Sequence, residues 1–341
     1  MRNRYFDLLR AVAILRVVLY HASGWALLTV VFPAMGVMFA LAGSLMAASL
    51  DRYGGWRAVT RRLRRVLPPF WLGAAVLVPA MIRTGLPVDW NLLAWVVPLG
   101  DPPVNGWGHT VSGIIWYVRE YLWFVLLSPL ALPFFRRWPV PAFLLPMAAL
   151  VVGQLGVPLP AAVWDFGLYF GAWLIGFAHN DGVFERLSRR VVRQVAAALA
   201  VGGAAWILTH PGPRGLDLND NPIGNVLWST GFVLILIGLA PPDLAWLDRR
   251  AFAGWLVTLM NRRAMTVYLW HPAAVVGATT VVFMWDIPLG SGPGLALFWA
   301  TLAVSVLGAV AIFGWVEDLA ARRPVAVIPR QRSRSAMPVQ T

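Results

Sequence analysis

Apolar residues fall in long blocks along this chain, separated by short stretches rich in arginine, proline, glycine and acidic residues. A block of about 20 such residues is what a helix needs to cross hydrocarbon. The pattern predicts ten helices, over 7–28, 31–50, 67–83, 114–135, 139–156, 162–178, 195–210, 224–241, 265–284 and 295–316. The fold class expected is therefore all-α, a polytopic membrane helix bundle of about ten transmembrane helices. The largest connection, 84–113, holds Asp89, Asp101, Asn105, His109 and three tryptophans. Its apolar run Leu92–Leu99 is too short to span and is expected to lie at the interface or to re-enter. No internal repeat is visible.

Arginine placement orients the bundle. With the N-terminus inside, the inner segments collect Arg2 and Arg4, the run from Arg52 to Arg65, Arg136 and Arg137, Arg186 to Arg193, Arg249 to Arg263, and Arg322 to Arg334. These make 23 of the 28 arginines, whereas the outer loops hold Arg83 and Arg214. The positive-inside rule then places both termini in the cytoplasm. Residues 1–321 form one membrane domain, and 322–341 read as a basic, disordered cytoplasmic tail.

Composition changes the picture in three ways. The chain has 341 residues, 59% of them hydrophobic, and belongs in a membrane. Its net charge of +13 comes from arginine alone, because lysine is absent. A soluble protein this basic would point to nucleic acid; here the arginines sit between apolar spans, so no nucleic-acid partner is expected. Cysteine is also absent, which excludes disulfides and thiol catalysis. The first apolar stretch carries Arg10 and Arg16 and lacks a small-residue cleavage site, so no cleavable signal peptide is expected.

Chemistry concentrates in a few places. Arg10 and His21 lie eleven residues apart on the first span, about three helical turns, so they share one face roughly 16 Å apart in depth. Ionisable groups in hydrocarbon are costly and usually mark a site or pathway. Four arginines, Arg61, Arg62, Arg64 and Arg65, crowd the start of the third span. They can anchor the chain to anionic lipid headgroups. Alternatively, Arg61 with Arg64, or Arg62 with Arg65, can grip a phosphate with forked donors. In the fourth span Glu120 follows Arg119. An Arg10–Glu120 pair would be structural, whereas a Glu120–His21 pair would orient an imidazole. In the ninth span Pro272 follows His271 and frees a carbonyl one turn earlier, near Tyr268. His271 is then either a core histidine or part of a pocket. No metal-ligand box, P-loop or nucleophile elbow occurs, and no metal is expected.

These residues resemble a known family. Arg10 and His21 are similar to the R-x10-H signature in the first helix of the acyltransferase-3 family of membrane acyltransferases. Asp7-Leu8-Leu9-Arg10 and Leu19-Tyr20-His21 look like that family's opening, and Phe32-Pro33 through Gly43 resembles its second helix. Arg61-x-x-Arg64 and Arg62-x-x-Arg65 resemble its cytoplasmic R-x-x-R. Trp116-Tyr117 and Tyr268-Leu269-Trp270-His271 resemble later aromatic and Y-L-x-H motifs. The likeness covers the ten helices, without the appended esterase-like domain of some members. Arg16 departs from it, standing where an apolar residue is expected, about 120° off the Arg10–His21 stripe.

The resemblance implies O-acylation: transfer of an acyl group, commonly acetyl, from cytoplasmic acyl-CoA to a hydroxyl of a surface glycan, a lipid or a small molecule. Arg61, Arg62, Arg64 and Arg65 would bind the donor's phosphates and Arg10 would guide its thioester. His21 would act as base or transient acyl carrier, with Glu120 in support. Trp116, Tyr268 and His271 would border the substrate pocket. The expected setting is the plasma membrane. The competing class is a proton-coupled transporter, with Arg, His and Glu as a relay and His271-Pro272 marking a broken helix. It predicts inverted repeats.

Overall fold

A computed structural model describes residues 4–238, 244, 247 and 249–327, and these residues form helices and connections with no strand among them. The helices are α1 (Arg4–Ser23), α2 (Leu27–Val31), α3 (Ala34–Tyr53), α4 (Gly55–Arg83), α5 (Gly106–Ser112), α6 (Ile115–Arg137), α7 (Pro139–Gln154) and α8 (Ala161–Asn180). They continue as α9 (Val183–Arg186), α10 (Arg189–Thr209), α11 (Pro222–Gly238), α12 (Ala251–Arg262), α13 (Ala264–Met284), α14 (Gly292–Phe313) and α15 (Trp315–Ala320). Each of the ten expected blocks overlaps chiefly one helix; residues 239–241 of the eighth block lie outside the described part. Among the described residues, seven segments are long and apolar enough to cross a membrane: Leu27–Tyr53, α4, α6, α8, α10, α13 and α14. α7 and α11 are apolar but shorter. α1 has 20 residues and carries Arg4, Asp7, Arg10 and Arg16.

Close backbone approach sets the central contact. A Cβ on Gly176 of α8 would overlap the Ala40 carbonyl of α3, and one on Gly43 would overlap the Trp173 carbonyl. Small residues let helices approach closely in lipid, where dispersion and not water exclusion drives packing. Around that seam an aromatic core forms, with Phe39, Phe124 and Trp173 fully buried. Phe39 and Trp173 lie 5.0 and 5.4 Å from the Phe124 ring.

α4 differs from expectation. The third span does not begin at 67; the helix begins at Gly55 and takes in all four arginines, with Pro68 and Pro69 in its interior. Proline at 68 and 69 leaves the carbonyls of Arg64 and Arg65 without a helical donor. Those carbonyls sit in the arginine-rich, exposed turn of the helix, where water can serve them. A helix of 29 residues is about 43 Å long, so it crosses hydrocarbon and still projects its arginines beyond.

The connection 84–113 neither spans nor floats free. Trp90–Trp95 forms a 3-10 turn, and Trp71 and Trp123 donate their indole N–H groups to the Val96 and Leu99 carbonyls. At the opposite end, α15 clasps α12 and α13. Asp318 is fully buried and takes Arg262 at 2.8 Å and Arg263 at 2.7 Å. Glu317 accepts from the backbone N–H and hydroxyl of Thr266, at 2.9 and 2.6 Å, and so caps the first turn of α13. Of the expected tail, Arg323 approaches Asp318 at 3.3 Å and the Ala326 N–H donates to it; residues 328–341 lie outside the described part.

Candidate active site

His21 stands in the last turn of α1 and opens into a cavity of about 350 Å³. α6, α8 and α13 contribute Trp116, Tyr169 and Tyr268 to its wall, and the 210–221 connection contributes Arg214 and Asn219. Trp116 stacks on Tyr169 with ring centres 5.4 Å apart and planes 26° from parallel. One wall is thus a flat aromatic face, and the rim is polar.

The rim is organised by Tyr20, the neighbour of His21. Its hydroxyl donates to Asp217 Oδ2 at 2.6 Å and accepts from Arg214 at 2.8 Å and Asn219 at 3.1 Å. Arg214 also binds Asp220, and this contact holds the Asp220 carboxyl below the usual range. The Leu218 N–H donates to Thr29 Oγ1 at 2.9 Å, which ties the same connection to α2. A loop between α10 and α11 is thereby fixed over the end of α1.

Arg16 also lines the cavity. Its Nε donates to the Leu28 carbonyl at 3.0 Å, and its guanidinium lies 5.1 Å from the Tyr20 ring centre. Arg16 therefore braces α2 and presents the rest of its fork to the pocket.

His271 is fully buried beneath the cavity, its ring centre 5.1 Å from that of His21. Its Nδ1 lies 2.7 Å from the Tyr268 carbonyl, the group that Pro272 leaves without its helical donor. Tyr268 packs 5.2 Å from Tyr117 and donates its hydroxyl to the Ile114 carbonyl at 2.7 Å.

Arg10 shares its face with His21 but lies deeper toward the N-terminal end. Arg10 Nη1 donates to Asn261 Oδ1 at 3.1 Å, and Asn261 in turn donates to the Asp7 carbonyl at 2.6 Å. Arg10 lies within electrostatic range of Arg62 and Tyr117, so it sits between the arginine-bearing end of α4 and the aromatic column below the cavity.

The four arginines of α4 divide by role. Arg62 turns inward, donating to the Leu45 carbonyl and to Ser49 Oγ at 2.8 Å. Arg61 lies over the Tyr53 ring at 3.8 Å. Arg64 and Arg65 are exposed and make no hydrogen bond or ion pair among the described residues.

Neither pairing foreseen for Glu120 forms. Glu120 is fully buried, lies off the cavity wall, and has Arg119 Nε at 3.8 Å as its ion contact. Arg119 spends its fork on Asp101 and Asp165, carboxylates from a loop and from α8. Glu120 thus belongs to a charge cluster behind Asp165, which itself borders the cavity. Sequence reasoning missed this cluster and the Tyr20–Asp217–Arg214 rim. The available signals were the acidic run Asp217–Asp220 beside an isolated outer arginine, and Asp165 at the head of an apolar helix.

An arginine–histidine helix face, an aromatic-walled cavity beside His21 and an arginine-tipped helix make up the candidate site. The chain belongs to the acyltransferase-3 family: the family described as "Acyltransferase domain" matches residues 3–314. It is a multi-pass membrane acyltransferase. No curated protein and no solved structure matches the chain.

Proposed function

We propose that the protein moves an acyl group, acetyl in the simplest case, from a cytoplasmic acyl-CoA to a hydroxyl of an acceptor held in the cavity beside His21. All ten long helices span the plasma membrane in this reading, with both termini inside. Arg64 and Arg65, with Arg61 beside them, bind the phosphates of the donor. Arg10 guides the thioester inward. His21 removes the acceptor's hydroxyl proton as the oxygen attacks the thioester carbonyl. The C–O bond forms, the C–S bond breaks, and the proton passes to the departing thiolate. The acceptor is a glycan or another hydroxyl-rich molecule. Trp116 stacked on Tyr169 offers its ring a flat face, and the rim offers polar donors and acceptors.

One observation carries this reading: His21 opens into the cavity at one end of the bundle, and the arginines of α4 project from the other. A base and an anion site at opposite ends suit a donor and an acceptor that arrive from opposite sides. The test is labelled acetyl-CoA given to the purified protein with a membrane extract, and mass spectrometry of the products. O-acetylated acceptor is expected. Intact acetyl-CoA after prolonged incubation, or hydrolysis alone, would defeat the proposal.

A further inference from the structure

The geometry points to His271 as the positioning residue that fixes the tautomer of His21. This rests on His21 being the base of the reaction proposed above.

His271 is itself fixed. Its Nδ1 faces two backbone carbonyls, Tyr268 at 2.7 Å and Val267 at 3.2 Å. Carbonyl oxygens only accept, so Nδ1 carries the proton and donates. Pro272 makes this possible, because its missing N–H leaves the Tyr268 carbonyl free for the imidazole. With Nδ1 committed, the ring's remaining nitrogen, Nε2, is its acceptor. That atom is buried and has no hydrogen-bond partner among the described residues. A buried acceptor left unmade is costly, and such exceptions ask for a reason.

The reason lies across the ring. His21 meets His271 edge-on, with ring centres 5.1 Å apart and planes 64° apart. A turn of the His21 ring about its own side-chain bonds would set an N–H against His271 Nε2, the partner that atom lacks. His21 then carries its proton on the inward nitrogen, and the lone pair of the other nitrogen faces the cavity. That is the tautomer a general base needs. When His21 takes the acceptor's proton, both its nitrogens carry hydrogen, and the inward N–H stays donated to His271. The outward proton leaves with the thiolate, and the starting tautomer is restored. His271 exchanges no proton; it acts through orientation, as a third member holds the base in other acyl-transfer sites. Among the described residues no carboxylate is in contact with the pair: Asp165 is engaged by Arg119, and Asp217 by Tyr20 and Arg214.

The chain has five histidines, so ¹⁵N-histidine spectra of the purified full-length protein are simple enough to assign. His271 should show a protonated Nδ1 and an accepting Nε2, and His21 a single tautomer with its inward nitrogen protonated. His271→Phe keeps a ring and removes the acceptor. It should return His21 to a mixture of tautomers and lower kcat about 10²-fold, with the acceptor KM little changed. His271→Gln restores an acceptor near Nε2 and should recover part of both readouts. A parent spectrum with His271 Nε2 protonated would overturn the inference without any variant. So would a His271→Phe protein with the parental tautomer of His21 or the parental kcat. If the parent protein transfers no acyl group, the function proposed above fails, while the tautomer pairing is still decided by the spectra.

Discussion

The loop over the cavity should owe its position to one hydroxyl. Tyr20→Phe removes a group that donates to Asp217 and accepts from Arg214 and Asn219. Asp217 has 1% of its surface exposed, so water cannot replace the lost donor. It keeps Arg214 at 3.4 Å and the Asn219 backbone N–H at 2.9 Å, so the carboxylate is weakened in its contacts and not orphaned. Arg214 likewise keeps Asp220. The loss is then mainly one hydrogen bond to a charged group, about 1.5–3 kcal/mol. Asp217→Asn weakens the same contact from the other side, so the two changes must couple. A double-mutant cycle read by thermal unfolding in detergent should give an interaction energy of about 1–2 kcal/mol. Hydrogen exchange should rise in 210–221 and stay unchanged in α3 and α8. Strict additivity, with exchange in the loop unaltered, would refute the idea that Tyr20 holds the rim.

Other consequences are open to measurement. Burial pushes the Glu317 carboxyl up to about 7. A folded value above the unfolded one, near 4.5, favours the neutral form in the fold; this contribution is full below pH 4.5 and is lost as pH rises to 7. The loss is about 3 kcal/mol, so the stability difference between Glu317→Gln and the parent should shift in the variant's favour across that window; a difference independent of pH would contradict it. Replacing Arg61 and Arg64 by Ala should weaken acyl-CoA binding about ten- to a hundredfold at unchanged stability. Replacing Arg62 and Arg65 should also lower the melting temperature, because Arg62 holds α3. Normal donor binding in both double variants would leave the arginines as lipid anchors. Reporter fusions after residues 60, 137 and 190 should read cytoplasmic and those near 100 and 216 external; one reversal would break the ten-span topology.

How much of this was legible in the sequence differs by element. The long helices were, because an apolar block has few other ways to satisfy its backbone in lipid. The start of α4 was not: the apolar block begins at 67, whereas the helix runs on through the arginines and both prolines, because the freed carbonyls fall where water reaches them. α12 was missed because Ala251–Arg262 is amphipathic and packs against α1, in part through Asn261 on Arg10. At the site, His21, Trp116 and Tyr268 border one cavity, although they come from three separate helices. His271 came to lie beneath it, as the free carbonyl of Tyr268 required. Tyr20 and Asp217 are 197 positions apart, and no local pattern joins them. The surroundings of Glu120 were not legible, because Asp101 and Asp165, distant in sequence, claim the fork of its neighbour Arg119. Tertiary partners of this kind decide which buried charge belongs to the scaffold and which to the chemistry.

The most direct test of the whole account is the turnover of His21→Ala. The parent protein and the variant are purified, shown to bind acyl-CoA, and given labelled acyl-CoA with acceptor. The variant should bind donor as the parent does, because Arg64 and Arg65 lie at the other end of the bundle, and should form O-acylated product about 10²–10⁴-fold more slowly or not at all. A folded His21→Ala protein that turns over at the parental rate would contradict the assignment and return the search for the reacting group to the rest of the cavity.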